Sequence, residues 1–190
     1  KKVIVIGGGD TGSDCIGTSN RHGAKHIHQF EIMPRPKEWK QTWNPDWPYW
    51  PNILLTSSSQ EEGCERDWGI LTKSFQGENG KIKSAEFVRI EWIADNNGKA
   101  AFNEIPDSGF NLDVDLVLLA TGFVHLEHNK LITDLDLKLD ERKNLATNGN
   151  YMTSVDGVFA AGDSHTGASL VVRAIYHGRQ AAKAIDAYLR

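Results

Sequence analysis

Val3-Ile4-Val5-Ile6 runs straight into Gly7-Gly8-Gly9-Asp10-Thr11-Gly12. Four β-branched residues without a polar break read as a strand buried on both faces, the habit of a parallel sheet, and the glycines end it. Residues 11–23 read as a helix that turns Ile16 and small residues toward the sheet, with Gly23 where a helix stop belongs. His26 to Ile32 reads as a second strand, which makes residues 3–32 one βαβ unit. In that setting G-x-G-x-x-G has a mechanical meaning. Gly7 permits the tight turn, Gly9 lets a pyrophosphate approach the backbone, and Gly12 lets the helix lie close on the sheet. Asp10 and Thr11 fill the turn between them, and the helix N-terminus offers unpaired N–H groups and partial positive charge to phosphates. The same position favours an acidic side chain, so Asp10 reads equally as a dipole-matched helix start or as a ligand contact.

The end of the second strand carries two opposed signals. Glu31 lies 19 residues past Gly12; an acid there accepts hydrogen bonds from ribose hydroxyls and repels a 2′-phosphate, favouring NADH. Arg35 can instead pair with a 2′-phosphate, favouring NADPH. The strand-end acid is the more position-specific, and the reading leans to NADH.

Working outward, residues 33–52 hold five prolines, Pro34, Pro36, Pro45, Pro48 and Pro51, and four tryptophans, Trp39, Trp43, Trp47 and Trp50. Pro45 and Pro48 forbid a regular helix, so this reads as a long loop whose rings pack on the domain, with a partner-docking surface as the alternative. Residues 69–110 read as a β-rich insertion. Gly69–Gln76 and Lys81–Asp95 flank the hairpin signal Asn79-Gly80, and Asn96-Asn97-Gly98 is a second turn before Lys99–Ile105. Asp115–Ala120 reads as a buried strand that rejoins the sheet and stops at Thr121-Gly122. Gly157–Asp163 reads as another short buried strand ending in Gly162-Asp163. The last 20 or so residues form a helix with Val171, Ile175, Gly178, Ala182, Ile185 and Leu189 along one stripe, Gly178 implying close backbone packing.

Composition narrows the function. The chain has 190 residues, 39% hydrophobic and 24% charged, with a formal net charge of −4. That suits a folded domain and argues against nucleic acid or an anionic membrane as partner. No apolar run approaches the ~20 residues of a bilayer span. Two cysteines make neither a disulfide framework nor a cysteine metal site, which points to the reducing cytoplasm. Cys15 reads as packed, and His22, His26 and His28, like the four later histidines, as ordinary structural residues; no metal ligand and no catalytic acid, base or nucleophile is nominated. The chain opens inside a strand without an initiator Met, which reads as a piece of a longer polypeptide.

The glycine turn with its strand-end acid also occurs in S-adenosylmethionine methyltransferases. The later segments discriminate. Leu118-Leu119-Ala120-Thr121-Gly122-Phe123, then Ala160-Ala161-Gly162-Asp163 and Gly167-Ala168-Ser169-Leu170-Val171-Val172, resemble in order the two-dinucleotide flavoprotein oxidoreductases. The resemblance implies that Thr121 and Gly122 close the pyridine-nucleotide domain, that Asp163 beside Gly162 binds a flavin ribityl hydroxyl, and that Ser169, Leu170 and Val171 aim helix amides at the flavin ring. Residues 7–19, Arg21–Lys25, Glu31–Pro34, Leu55–Ser59 with Glu61–Gly63, Leu71–Lys73, and Ser169–Val172 with Gly178–Ala182 are similar to the small subunits of glutamate synthase. That likeness implies an NAD(P)H-to-FAD reductase. It would pass electrons through iron–sulfur clusters, bound outside this chain, to a large subunit that makes glutamate from glutamine and 2-oxoglutarate. Residues 1–122 would then be the NAD(P)H-binding domain and 123–190 the C-terminal strand–helix part of an FAD domain. Only one dinucleotide fingerprint is present, so FAD is not expected to be retained, and this piece alone is expected to be inactive. The remainder of the subunit is an expected partner, as is a second copy of the chain. A reductase serving another acceptor and a non-catalytic NAD(H)-sensing module are the alternatives.

Overall fold

The opening apolar run lies at the centre of a parallel sheet in the computed structural model, which describes residues 1–39, 53–94 and 100–190. The chain divides into two compact units, Lys1–Gly122 and Phe123–Arg190. In chain order the first unit holds β1 (Lys2–Ile6), α1 (Asp10–Arg21), β2 (His26–Glu31), α2 (Ser58–Glu61), β3 (Glu65–Trp68), β4 (Ile70–Glu78), β5 (Lys81–Ala94), β6 (Ala100–Glu104), β7 (Phe110–Asp113) and β8 (Leu116–Leu119). Four strands pair in parallel in the order β3-β2-β1-β8. Strand β1 thus has β2 on one side and β8 on the other. The crevice at its carboxyl end is where such sheets hold ligands.

Alternation along β1 sends its side chains into two cores. Val3 and Val5 pack with Ile16 of α1 and Ile27. Ile4 packs on the opposite face with Phe30, Ile70, Ala85, Phe87 and Val114. The insertion therefore caps the sheet face opposite α1. It is antiparallel, β4-β5-β6 with β7 also pairing β5, and is clamped by Phe30 edge-on to Phe87 at 4.9 Å and by Phe87 stacked on Phe110 at 5.4 Å. The Asn79-Gly80 signal becomes a tight turn with φ of 53° and 72°, the two positive values of a type I′ hairpin. The expected turn at 96–98 lies outside the described residues, as do Trp43, Trp47, Trp50, Pro45, Pro48 and Pro51.

Three elements of this unit escape the sequence reading, among them β7, which pairs β5. Strand β3, Glu-Arg-Asp-Trp, is polar because it is an edge strand and only half buried. Helix α2 is a single turn, with Ser57 and Gln60 forming a capping box.

The second unit contains α3 (Lys130–Asp134), α4 (Asp163–Thr166) and α5 (Val171–Leu189), with a core of Ile132, Leu137, Leu145 and Ala160. Asn144 is fully buried there, its Oδ1 accepting from the Leu126 N–H at 3.2 Å. Three expectations need correction. Residues 157–163 contribute one antiparallel bridge, Met152–Phe159, rather than a run of strand, because the neighbour they find is the short, turn-bound segment after Tyr151. Helix α5 also packs by a different stripe. Ala181 is buried, Tyr188 meets Phe159 edge-on at 5.6 Å and donates to Asp156 at 2.9 Å, and Ala174 lies against Gly162. Val171, Ile175 and Leu189 stay 75%, 57% and 76% exposed. Periodicity finds both apolar faces of a helix but does not say which one is used; small Ala174 and Ala181 permit the closer approach. Gly178 has nothing within 4 Å of where a Cβ would stand, so close packing does not explain it.

Candidate functional site

The turn leaving β1 is shaped by what its glycines touch. Gly7 has φ +124°, and a Cβ there would fall 2.1 Å from the Ala120 carbonyl oxygen at the end of β8. A Cβ on Gly12 would lie 2.2 Å from the Gly7 carbonyl oxygen, so α1 sits directly on the turn. Gly9, between them, has nothing within 4 Å. Two glycines are thus filled by protein backbone and the third opens outward, the shape a phosphate needs to reach the chain. Gly9 is the N-cap of α1 and supplies no side-chain hydrogen bond. Among the described residues the N–H groups of Asp10, Thr11 and Gly12 have no acceptor, so they point with the positive helix end at this opening.

Glu31 closes the turn from below. Its Oε2 accepts from the Gly8 N–H at 2.5 Å and its Oε1 from the Met33 N–H at 3.1 Å. Each carboxylate oxygen is therefore engaged by backbone before any ribose arrives. A buried amide relay supports the turn further. Gln29, 2% exposed, donates from Nε2 to the Gly7 carbonyl at 3.0 Å and accepts at Oε1 from Gln60 Nε2 at 2.8 Å. Gln60 Oε1 in turn accepts from the Ser57 N–H at 2.9 Å, and the Ser57 hydroxyl bonds that of Ser13 on α1. The capping box of α2 is therefore tied to the glycine turn through one side chain of β2.

Beside the turn is a cleft of about 410 Å³, within the range of small-molecule sites. Gly8, Gly9, Asp10, Ser13 and Glu31 form one wall, and Leu54, Leu55, Arg66 and Trp68 belong to the other. Parallel register pairs Gln29 with Arg66 and Glu31 with Trp68, so these four side chains share one face of the sheet. Arg66 donates from Nη1 to the Leu55 carbonyl at 3.0 Å and to the Thr56 hydroxyl at 3.3 Å. Its guanidinium carbon lies 5.0 Å from the Trp68 ring centroid, and that of Arg35 lies 5.1 Å from the same ring. Partial burial draws Arg66 below its usual value; the Cys64 thiol opposes this and the Arg35 charge adds to it, yet a guanidinium stays protonated throughout.

Of the sequence-derived residues, Gly9, Asp10 and Glu31 line the cleft, Gly7 and Gly12 buttress it, and Thr11 faces a neighbouring depression with Asp10 and Asp14. Arg35 lies over Trp68 at the cleft's edge and is paired with Glu38 at 3.0 Å. Thr121 and Gly122 follow β8, whose end is held by the Ala120 N–H donating to Ile6 at 2.7 Å. In the second unit Gly162, at φ +66°, caps α4, and Asp163 is exposed. Ser169, Leu170 and Val171 are exposed at the start of α5, where the Leu170 carbonyl accepts from Arg173 at 2.9 Å. Gln29, Ser57, Gln60, Arg66 and Trp68 were missed by sequence reasoning. The S-x-x-Q spacing of Ser57 and Gln60 was a readable signal, and so was Gln29 within a short strand; Arg66 and Trp68 required the register of β3.

The residues fit a pyridine dinucleotide, since the open Gly9 and the unpaired amides form a diphosphate cradle. They do not suffice for a flavin. The second unit offers Asp163 and the first turn of α5, but the sequence holds no second glycine fingerprint for a flavin diphosphate, so no step through a flavin is derived from this chain.

Residues 1–178 match the pyridine nucleotide-disulphide oxidoreductase family. A glutamate synthase [NADPH] small chain of Mycobacterium tuberculosis is 47% identical over all of this chain, which spans 38% of that protein's length. A glutamate synthase [NADH] of Schizosaccharomyces pombe is 43% identical over 98% of this chain and 9% of its own length. Among solved structures, thioredoxin reductase of T. acidophilum aligns with 98% of this chain and 52% of its own, with a TM-score of 0.60 at 20% identity, which shows a shared fold.

Proposed function

The chain belongs to the pyridine nucleotide-disulphide oxidoreductase family, and from that premise we propose that its first unit binds NADH or NADPH as the electron-donor site of a glutamate synthase small chain. The observation that carries the reading is the open Gly9 between two glycines filled by backbone, set under the unpaired amides of α1. The match of this chain to part of the glutamate synthase chains supports the setting. When bound, the nicotinamide would supply a hydride, and a flavin held mainly by the rest of the subunit would be its acceptor.

This chain's own residues bind and orient. The amides of residues 10–12 and the positive end of α1 take the diphosphate, and Gln29 and Glu31 hold the turn in the shape that presents those amides. Thr121 and Gly122 finish the domain after β8. In this reading Gly162, Asp163 and the start of α5 belong to the FAD side, completed by the rest of the subunit. Electrons leave through iron–sulfur clusters held elsewhere to a large subunit, which forms glutamate from glutamine and 2-oxoglutarate. The cytoplasm is the setting we assign, in keeping with two free cysteines, Cys15 and Cys64; among the described residues no helix is long and apolar enough to cross a membrane.

The test is calorimetric titration of the 190-residue chain with each dinucleotide. Saturable 1:1 binding of at least one is expected. Absence of binding by both, in protein shown by circular dichroism to be folded, would overturn the reading.

A further inference from the structure

We infer that Arg66, backed by Trp68, is the residue that selects a 2′-phosphorylated adenine nucleotide, so that the first unit prefers NADPH. The inference rests on the proposed nucleotide site and names its specificity residue. Three observations carry it.

Position comes first. Strand β3 lies next to β2, and its register sets Arg66 opposite Gln29 and Trp68 opposite Glu31. Arg66 therefore shares the cleft with the strand-end acid that faces the adenosine ribose in such folds.

Availability comes second. Among the described residues, Arg35, Glu31 and Arg66 differ in what already holds them. Arg35, on the same Trp68 ring, is matched by Glu38 at 3.0 Å. Both Glu31 oxygens accept from backbone N–H groups, Gly8 and Met33, which offset its charge where a phosphate would otherwise meet it. Arg66 has no carboxylate partner among the described residues; its Nη1 is held by the neutral oxygens of Leu55 and Thr56. Its remaining donors are left for an anion, and a guanidinium presents them in the planar fork that matches phosphate.

Preorganisation comes third. Contact with Trp68 and two hydrogen bonds fix the guanidinium before ligand arrives, so little side-chain freedom is lost on binding. The NADH preference that Glu31 alone implies then gives way, because its carboxylate is engaged by the turn and Arg66 is engaged by no acid among the described residues.

The experiment compares wild type, Arg66→Gln and Arg35→Gln of the full 190-residue chain, each titrated with NADPH, NADH, and 2′,5′-ADP against ADP. Wild type is expected to favour the 2′-phosphorylated member of each pair by tenfold or more. Arg66→Gln should weaken NADPH by about 10- to 100-fold, the worth of a lost charge-assisted phosphate contact, while NADH changes by less than about threefold. Arg35→Gln should leave the ratio within threefold of wild type. A residue that merely braces Leu55 and Thr56 would weaken both dinucleotides alike. That result would overturn the assignment, as would a wild-type ratio under tenfold or a loss of preference in Arg35→Gln. If Arg66→Gln fails to fold, Arg66→Lys must lower the NADPH-to-NADH ratio by at least threefold, since an ammonium lacks the fork; an unchanged ratio would refute the inference. If folded wild type binds neither dinucleotide, the site reading itself fails, an outcome distinct from binding without preference.

Discussion

Replacing Gly9 by aspartate should make the first unit more stable and at the same time unable to hold a dinucleotide. Gly9 has φ −79° and ψ −171°, an extended conformation any residue adopts, and a Cβ there meets nothing within 4 Å. As N-cap of α1 it now contributes no side-chain bond. An aspartate would accept the free N–H of Thr11 or Gly12, a gain of a few tenths of a kcal/mol over glycine as a cap. Losing glycine's freedom in the unfolded chain adds about 0.4–1 kcal/mol. Together these come to about 0.5–1.5 kcal/mol, a rise of roughly 2–5 °C in the melting temperature of a unit this size. Binding moves the other way. The carboxylate would occupy the amides proposed to take the diphosphate, and two lost charge-assisted hydrogen bonds cost about 3–6 kcal/mol, at least 100-fold in affinity. Thermal melting by circular dichroism and calorimetric titration read the two effects on the same sample, with Gly9→Ala, which leaves the amides free, expected to lose less affinity. Dinucleotide binding by Gly9→Asp within threefold of wild type would refute the cradle.

The flanking glycines should behave oppositely. Gly12→Ala drives a Cβ against the Gly7 carbonyl and Gly7→Ala drives one against Ala120 from a left-handed backbone, so urea melts should show each destabilised by about 1–3 kcal/mol or more; wild-type stability in either would mean the turn is looser than described. Gln29→Leu strands the Gly7 carbonyl and the Gln60 amide, each costing about 1–3 kcal/mol, and should weaken nucleotide binding along with stability; equilibrium unfolding plus titration checks both. Burial pushes the Cys64 thiol up, with Arg66 opposing, and pushes Cys15 up with Asp14 adding to it. Both thiols should thus react with iodoacetamide more slowly at pH 8 than in urea-unfolded chain. The linked stability, present below the unfolded thiol pKa, is lost as pH rises through the folded value. Equal alkylation rates in folded and unfolded protein would contradict this.

The glycine turn and its βαβ frame were legible because they are local: Val3–Ile6, the glycine spacing and Glu31 lie within one short stretch, and each residue type has a mechanical role there. The Asn79-Gly80 hairpin was legible for the same reason. Strand β3 was not, since an edge strand carries no apolar run, and with it went Arg66 and Trp68, which reach the cleft only through register with β2. Gln29 shows the same limit from another side: the sequence displays a polar residue in a strand, while its two partners come from Gly7 and from the capping box at Ser57 and Gln60. In α5 the apolar stripe was correctly periodic and wrongly assigned, because Ala174 and Ala181 pack where Val171 and Ile175 do not.

The Gly7 backbone rests on the Ala120 carbonyl, more than a hundred residues later in the chain. The glycine pocket therefore cannot be finished before Ala120 is made. During synthesis the first βαβ unit emerges with β1 lacking its β8 neighbour, and the β4–β7 sheet must be made before that neighbour arrives. Contacts of such long separation close slowly, which leaves the β8-side edge of β1 unpaired in the interval. A dinucleotide bound at the proposed site would then act by mass action, holding the closed form once it exists rather than guiding it there.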